Sequence, residues 1–137
     1  MKDPQTLQQV GRRIILYHVG TTADGAAVAD SVALAFEKFL TAMSSLIGHA
    51  GSQMVFRRSL KLTEATYPWF QELRRTDLEE LTAGLATSLK QQSHDEAVNA
   101  STQLFLSLLE LFALLIGERL IQQVLRETWP DILAPSQ

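Results

Sequence analysis

The sequence predicts an all-α protein, a bundle of about five to six helices folded as a single domain over residues 1–137. Three observations lead there. Apolar residues recur every three or four positions over most of the chain, as in Val28, Val32, Ala35, Phe36, Phe39, Leu40 and Met43, the spacing that lines one face of a helix. Glycines, prolines and capping residues mostly fall between these runs. Alternating β-branched runs, the mark of a half-buried strand, are missing. A chain of 137 residues has the size of one domain and can bury roughly two-thirds of the surface its unfolded form exposes.

Taken in order, Asp3-Pro4 reads as an N-cap with proline at the first helical position. It opens a helix centred on Ile14, Ile15 and Leu16 that Gly11 weakens and that stops near Gly20. Turn residues over 21–25 lead to a long amphipathic helix running from Val28 through Leu46-Ile47 to Gly48, with Asp30, Glu37, Thr41 and Ser44 on its polar face. His49-Ala50-Gly51 breaks the chain before a third helix over about 52–65. Tyr67-Pro68 ends that helix, because the residue before proline avoids the helical region, and Trp69 and Phe70 are expected to pack back on the core.

Thr76-Asp77-Leu78-Glu79 has the form of a capping box. The narrow stripe Leu78, Leu81, Leu85 and Leu89 follows on a fourth helix, interrupted by Gly84. Ser93-His94-Asp95-Glu96 is a second box opening a fifth helix. Its apolar positions Leu104, Phe105, Leu108, Leu109, Leu111, Phe112, Leu115 and Ile116 form a wide stripe beside the polar strip Asn99, Gln103, Ser107 and Glu110. A stripe that wide needs neighbours on more than one side. After Gly117 a sixth helix carries Leu120, Ile121, Val124, Leu125 and Trp129 and is closed by Pro130, leaving a loose tail over 134–137.

An internal echo runs through this order. A shift of 69 positions places Phe36 on Phe105, Leu40 on Leu109, Leu46-Ile47-Gly48 on Leu115-Ile116-Gly117, Val55 on Val124 and Arg57 on Arg126. Each copy is a long helix, a glycine break and a shorter helix ending in an aromatic beside proline. Two such units packed face to face would bury both stripes in a pseudo-symmetric bundle; chance alignment of two amphipathic helices is the alternative.

The same residues carry a resemblance. Leu46-Ile47-Gly48-His49-Ala50-Gly51 leading to Tyr67-Pro68-Trp69, with the segments Leu108–Leu120 and Leu125–Asp131, resembles a group of small bacterial all-helical proteins of unassigned function. The resemblance implies a bacterial source and a helical bundle, and it brings no catalytic or binding residue with it.

Composition excludes several classes of function. With no cysteine there is no disulfide, thiolate zinc site, iron–sulfur cluster or thiol nucleophile. A net charge of −3 provides no overall field to attract nucleic acid or anionic lipid. The N-terminus, Met1-Lys2-Asp3-Pro4-Gln5, leads into no apolar run and does not read as a signal peptide, so the chain is expected in the cytoplasm. Leu104–Ile116 falls short of the roughly 20 residues that cross a bilayer and reads as a core helix, so no membrane association is expected.

Each candidate site has a plainer reading beside it. His18, His49 and His94 stand outside any Glu-x-x-His, His-x-x-His or His-Glu-x-x-His spacing, so they read as surface or capping residues and no metal or other cofactor is expected. Glu110 lies mid-way along the most apolar helix, where burial without a partner would be costly; Ser107 and Gln103 beside it suggest a polar strip reaching solvent or a subunit boundary. Arg57, Arg58 and Lys61, with Arg74 and Arg75 in the next connection, form a candidate anion patch that would serve nucleic acid only locally. Gly48-His49-Ala50-Gly51 lacks the lysine and preceding strand of a phosphate loop. Trp69 and Trp129 are candidate interface residues together with Glu110, or else core.

The functional expectation is a non-enzymatic bundle that acts through protein contacts, as a homodimer held by leftover apolar surface. Two alternatives stand beside it. One is a small-ligand or enzymatic cavity needing Glu37, Glu110 and a histidine to converge. The other is nucleic-acid binding through the basic patch.

Overall fold

The computed structural model describes residues 6–21, 24–76 and 80–133, and among them the regular structure is helical throughout. The helices are α1 (Leu7–Val19), α2 (Gly25–Ile47), α3 (His49–Thr63), a 3₁₀ helix (Pro68–Arg75), α4 (Leu81–Lys90), α5 (His94–Ile116), α6 (Glu118–Thr128) and the single turn α7 (Pro130–Leu133). The all-helical bundle expected from periodicity is therefore what forms, with two more short elements than punctuation suggested.

Local chemistry explains most boundaries. Thr6 caps α1 in a reciprocal capping box with Gln9, the Gln9 N–H donating to Thr6 Oγ1 at 3.1 Å and the Thr6 N–H to Gln9 Oε1 at 2.9 Å. The start expected at Asp3-Pro4 lies outside the described residues, and helix geometry begins after Thr6. Asp24 caps α2 through the Ala26 N–H and Ser93 caps α5 through the Glu96 N–H. Glu96 does not complete a capping box with Ser93, because its carboxylate accepts from Trp69 Nε1 at 3.1 Å.

One boundary departs from the sequence reading. His49-Ala50-Gly51 is the first turn of α3 rather than a break, since Gly48 alone redirects the chain. The sixth helix ends before Pro130 as expected, and Pro130 then opens α7, a position where its missing N–H costs nothing. Thr76 closes the 3₁₀ helix, its N–H donating to the Leu73 carbonyl; the rest of the capping box expected there, residues 77–79, lies outside the described residues. Leu81, Leu85 and Leu89 nonetheless form the expected buried stripe.

The 69-residue echo is a structural repeat. Adding 69 carries α2 (Gly25–Ile47) onto α5 (His94–Ile116) at both ends, and Gly48 onto Gly117. The two glycines share a backbone conformation, φ 90° and ψ 155° against φ 94° and ψ 146°, which only glycine adopts readily. Their N–H groups donate to Ser44 and Ala113, again 69 apart, at 2.9 and 2.8 Å. Each glycine thus ends one helix and starts the next, and the two junctions bend alike because their backbones are alike.

Packing follows the same pseudo-twofold relation. α1 packs on α5 as α4 packs on α2, α3 on α5 as α6 on α2, and α7 on α1 as the 3₁₀ helix on α4. Each half therefore completes the other's core, so that the wide stripe of α5 finds α1, α2, α3 and α6 around it. Phe36 and its repeat counterpart Phe105 meet each other edge to face, with centroids 5.2 Å apart, inside a cluster with Phe39, Phe56, Phe112 and Trp129. Gly11 earns its place in α1 by closeness: a Cβ there would stand 2.7 Å from Leu106 Cδ2 and 3.0 Å from Leu109 Cδ1.

By length and composition α5 is also apolar enough to cross a membrane, with mean hydropathy 1.5 over its richest window. In the bundle its side chains from Ala97 to Phe112 supply much of the core.

Candidate functional site

The titratable groups singled out from sequence do not converge on one centre. Glu110 is exposed, as the polar strip implied, and Gln8 Nε2 donates to it at 3.4 Å. Glu37 and His49 line a cleft of about 350 Å³ between α2, α3 and α4, together with Thr41, Ser44, Gln53 and Thr82. Glu110 is not among them, so of the three groups singled out the cleft brings together Glu37 and a histidine. Gln53 is 6% exposed and its amide oxygen has no hydrogen-bond partner among the described residues. Among the described residues no group of three His, Asp or Glu side chains is placed to hold a metal ion.

His18 was expected at the surface and is instead half-buried. Trp129 Nε1 donates to its Nε2 at 2.8 Å, which requires the proton of the neutral ring to sit on Nδ1. Burial, and then the nearby Lys38 charge, hold the His18 pKa below its ordinary value. Trp129 itself is 3% exposed and belongs to the core, so it is not available as an interface residue. Trp69 is half-buried, tilted against Phe70 and tied to Glu96. Beside it burial, and then the Glu96 charge, raise the Tyr67 pKa.

The basic cluster is divided by helix geometry. Consecutive residues on a helix point about 100° apart, and Arg57 turns toward the end of the 3₁₀ helix, where Nη2 donates to the Thr76 carbonyl at 2.6 Å. Arg58 turns the other way, toward α5. Lys61 is exposed, and the side chains of Arg74 and Arg75 lie outside the described structure.

What the sequence reading missed is a pair of grooves related by the repeat. One lies between α3 and α5 and is lined by Met54, Val55, Arg58, Leu111, Leu114 and Leu115. The other lies between α6 and α2 and is lined by Gln123, Val124, Glu127, Ala42, Ser45 and Leu46, with Leu120 and Thr128 at its ends. Residue for residue the first six of each differ by 69. The volumes are about 320 and 340 Å³, so the backbone builds nearly the same groove twice.

Their chemistry has diverged. Met54 stands where the twin has Gln123, Leu111 where it has Ala42, Leu114 where it has Ser45, and Arg58 where it has Glu127. In the α3/α5 groove Leu114 is 83% exposed, Met54 64% and Leu115 62%. Leu62, one turn beyond Arg58 on α3, adds a further exposed apolar side chain. An apolar surface of this kind on a chain with a filled core usually marks a contact. The twin serves as a control within the same molecule, because Gln123 and Ser45 show that the fold does not require positions 54 and 114 to be apolar, whereas Leu115 has a leucine, Leu46, as its counterpart. The 69-residue alignment held this signal, but reading it required knowing which aligned positions face solvent.

No protein family, curated protein or solved structure matches this chain.

Proposed function

We propose that this protein is a non-enzymatic assembly module that works through protein–protein contact, using the groove between α3 and α5. One observation carries the reading: of two grooves with the same backbone and a leucine at 115 and 46 alike, one adds Met54, Leu111 and Leu114 where the other holds Gln123, Ala42 and Ser45. Exposed apolar side chains lose stability to no neighbour when made polar, so a chain under selection for folding alone has no cause to keep them on one side. The occupant of such a groove is the apolar face of a helix, laid between the two walls. On this reading the protein acts in a bacterial cell, as the resemblance implies.

The test is site-directed photo-crosslinking in the source cell, with a photoreactive residue at position 114 and, in a separate variant, at position 45. Crosslinks to polypeptide from 114 and few or none from 45 are expected. Equal yields from both, or none from either, would overturn the reading.

A second reading has its own observation. The cleft that holds Glu37, Ser44, His49 and Gln53 carries one carboxylate, beside a Gln53 amide oxygen with no partner among the described residues, which suits a small amine. Titration of ¹⁵N-labelled protein with simple diamines would move the Gln53 side-chain resonances if the cleft binds them, and leave them unmoved otherwise.

A further inference from the structure

The occupant of the α3/α5 groove, we infer, is the same groove of a second copy of this chain, and the divergence of the twin groove is what stops the pair from growing into a longer chain. This inference rests on the contact reading and adds the identity of the partner.

The rim charges favour self-association. Arg58 and Lys61 mark the α3 edge of the apolar strip, whereas Glu110 marks the far edge of α5, where Gln8 of α1 reaches it. A face that runs from basic to acidic across its width is complementary to itself when turned about a twofold axis lying along the helices. The basic edge of each copy then meets the acidic edge of the other. Two like faces brought together in this way pack α3 and α5 against their copies as a four-helix interface.

The area is of the right order. Met54, Leu62, Leu114 and Leu115 leave on the order of 500 Å² of side chain open between them, more than half of the ~800 Å² per partner that a stable interface covers. Arg58, Lys61, Ser107 and Glu110 around them supply the polar rim.

The repeat explains why one groove is the more apolar. Two equally adhesive grooves on one molecule would let every copy bind two others, and unless the geometry closed a ring the product would be an open filament. Placing Gln123, Ser45 and Glu127 in the second groove leaves one adhesive face per chain. The assembly then ends at two.

Purified full-length protein tests this by sedimentation velocity and light scattering over about 1–200 μM, the range in which a contact of modest area associates. A monomer–dimer equilibrium is expected. M54Q/L114S, which gives this groove its twin's residues, should weaken the dimer at least about tenfold, and R58E should weaken it in a way that R58E/E110R restores. The reciprocal variant S45L/Q123M should turn the dimer into longer chains that grow with concentration. All these side chains are solvent-exposed, and an unchanged helical circular dichroism spectrum confirms folding of each variant.

A protein that stays monomeric throughout the range overturns the inference, as does a dimer that M54Q/L114S leaves intact. So does binding to neutral phospholipid vesicles by a monomer that loses it in M54Q/L114S, which would assign the face to lipid. Failure here is separable from failure of the contact reading. A monomer in vitro whose position 114 still crosslinks to another polypeptide in the cell removes the second copy and keeps the contact, whereas absence of crosslinks removes the contact itself.

Discussion

Replacing Gly117 by alanine isolates a single energetic term. At φ 94° and ψ 146° the residue occupies a region that L side chains rarely enter, and a Cβ built there meets nothing within 4 Å. Packing therefore contributes nothing to the outcome, and the cost is that of the backbone, about 1–3 kcal/mol for a residue held in such a region. Alanine recovers roughly 0.4–1 kcal/mol by restricting the unfolded chain, leaving a net loss of about 1–2 kcal/mol. For a domain of this length that lowers Tm by roughly 3–10 °C. Gly48, at φ 90° with equally open surroundings, should lose nearly the same amount. Urea unfolding followed by far-UV circular dichroism should show a lower midpoint at unchanged slope, measured at one fixed protein concentration because association would add its own stabilisation. A D-alanine at either site, made by semisynthesis, should reverse the loss, since its mirror-image preference suits a positive φ. If L-alanine is neutral or stabilising at both glycines, the junctions do not need a positive φ and the shared-bend account of the repeat fails.

Four further outcomes follow from single contacts. The folded state keeps His18 neutral and its pKa below the unfolded value of 6.5; stability should hold steady above about pH 6.5, decline as pH falls from there to the lowered folded value, and level off below it. Urea midpoints from pH 8 to 5 should show this slope in the wild type and a shallower one in His18→Gln, and a wild-type profile that is flat or rises toward acid contradicts the Trp129–His18 bond. Arg57→Ala should destabilise by about 1.5–3 kcal/mol, the worth of a charged hydrogen bond, by releasing the Thr76 carbonyl; an unchanged urea midpoint would mean that Arg57 serves the surface alone. The Ser52 hydroxyl is buried without a partner among the described residues, and its repeat counterpart is the buried Ile121. Ser52→Ala should accordingly be neutral or stabilising by up to about 1 kcal/mol, and a clear loss in thermal melts would reveal a bond at that oxygen. Gly11→Ala should lower stability by about 1–3 kcal/mol through overpacking against Leu106 and Leu109, and a gain in Tm, as helix propensity alone would give, would show that the two leucines move aside freely.

Much of the architecture was legible in the residues because its causes are local. The spacing of Val28 to Ile47 and of Leu104 to Ile116 follows from one face of a helix meeting a core, and Ser93 announces itself as a cap by its side chain alone. The repeat was visible as an alignment for the same reason, since equal helices with equal ends need equal patterns. Boundaries set by a single backbone torsion were less legible. A glycine at φ near +90° can bend the chain within one residue, so the three-residue break expected after Gly48 was too long. Within the described residues α1 takes its cap from Thr6, where Gln9 stands at the right distance to complete the box.

What the sequence by itself determined about this protein is its class, its helix order and the absence of cysteine chemistry, with the 69-residue offset visible as an alignment, all of which depend on residues near one another in the chain or on composition. Tertiary structure alone decided that the halves complete each other's core, that Trp129 turns inward to His18, that Arg57 and Arg58 face apart, and that two equivalent grooves carry different surfaces. The physical reason is that exposure is a property of neighbours. Leu114 and Leu108 are the same residue type on the same helix, and what separates them is that α2, α3 and α6 crowd around the buried side of α5 while no described element covers the side where Leu114 stands.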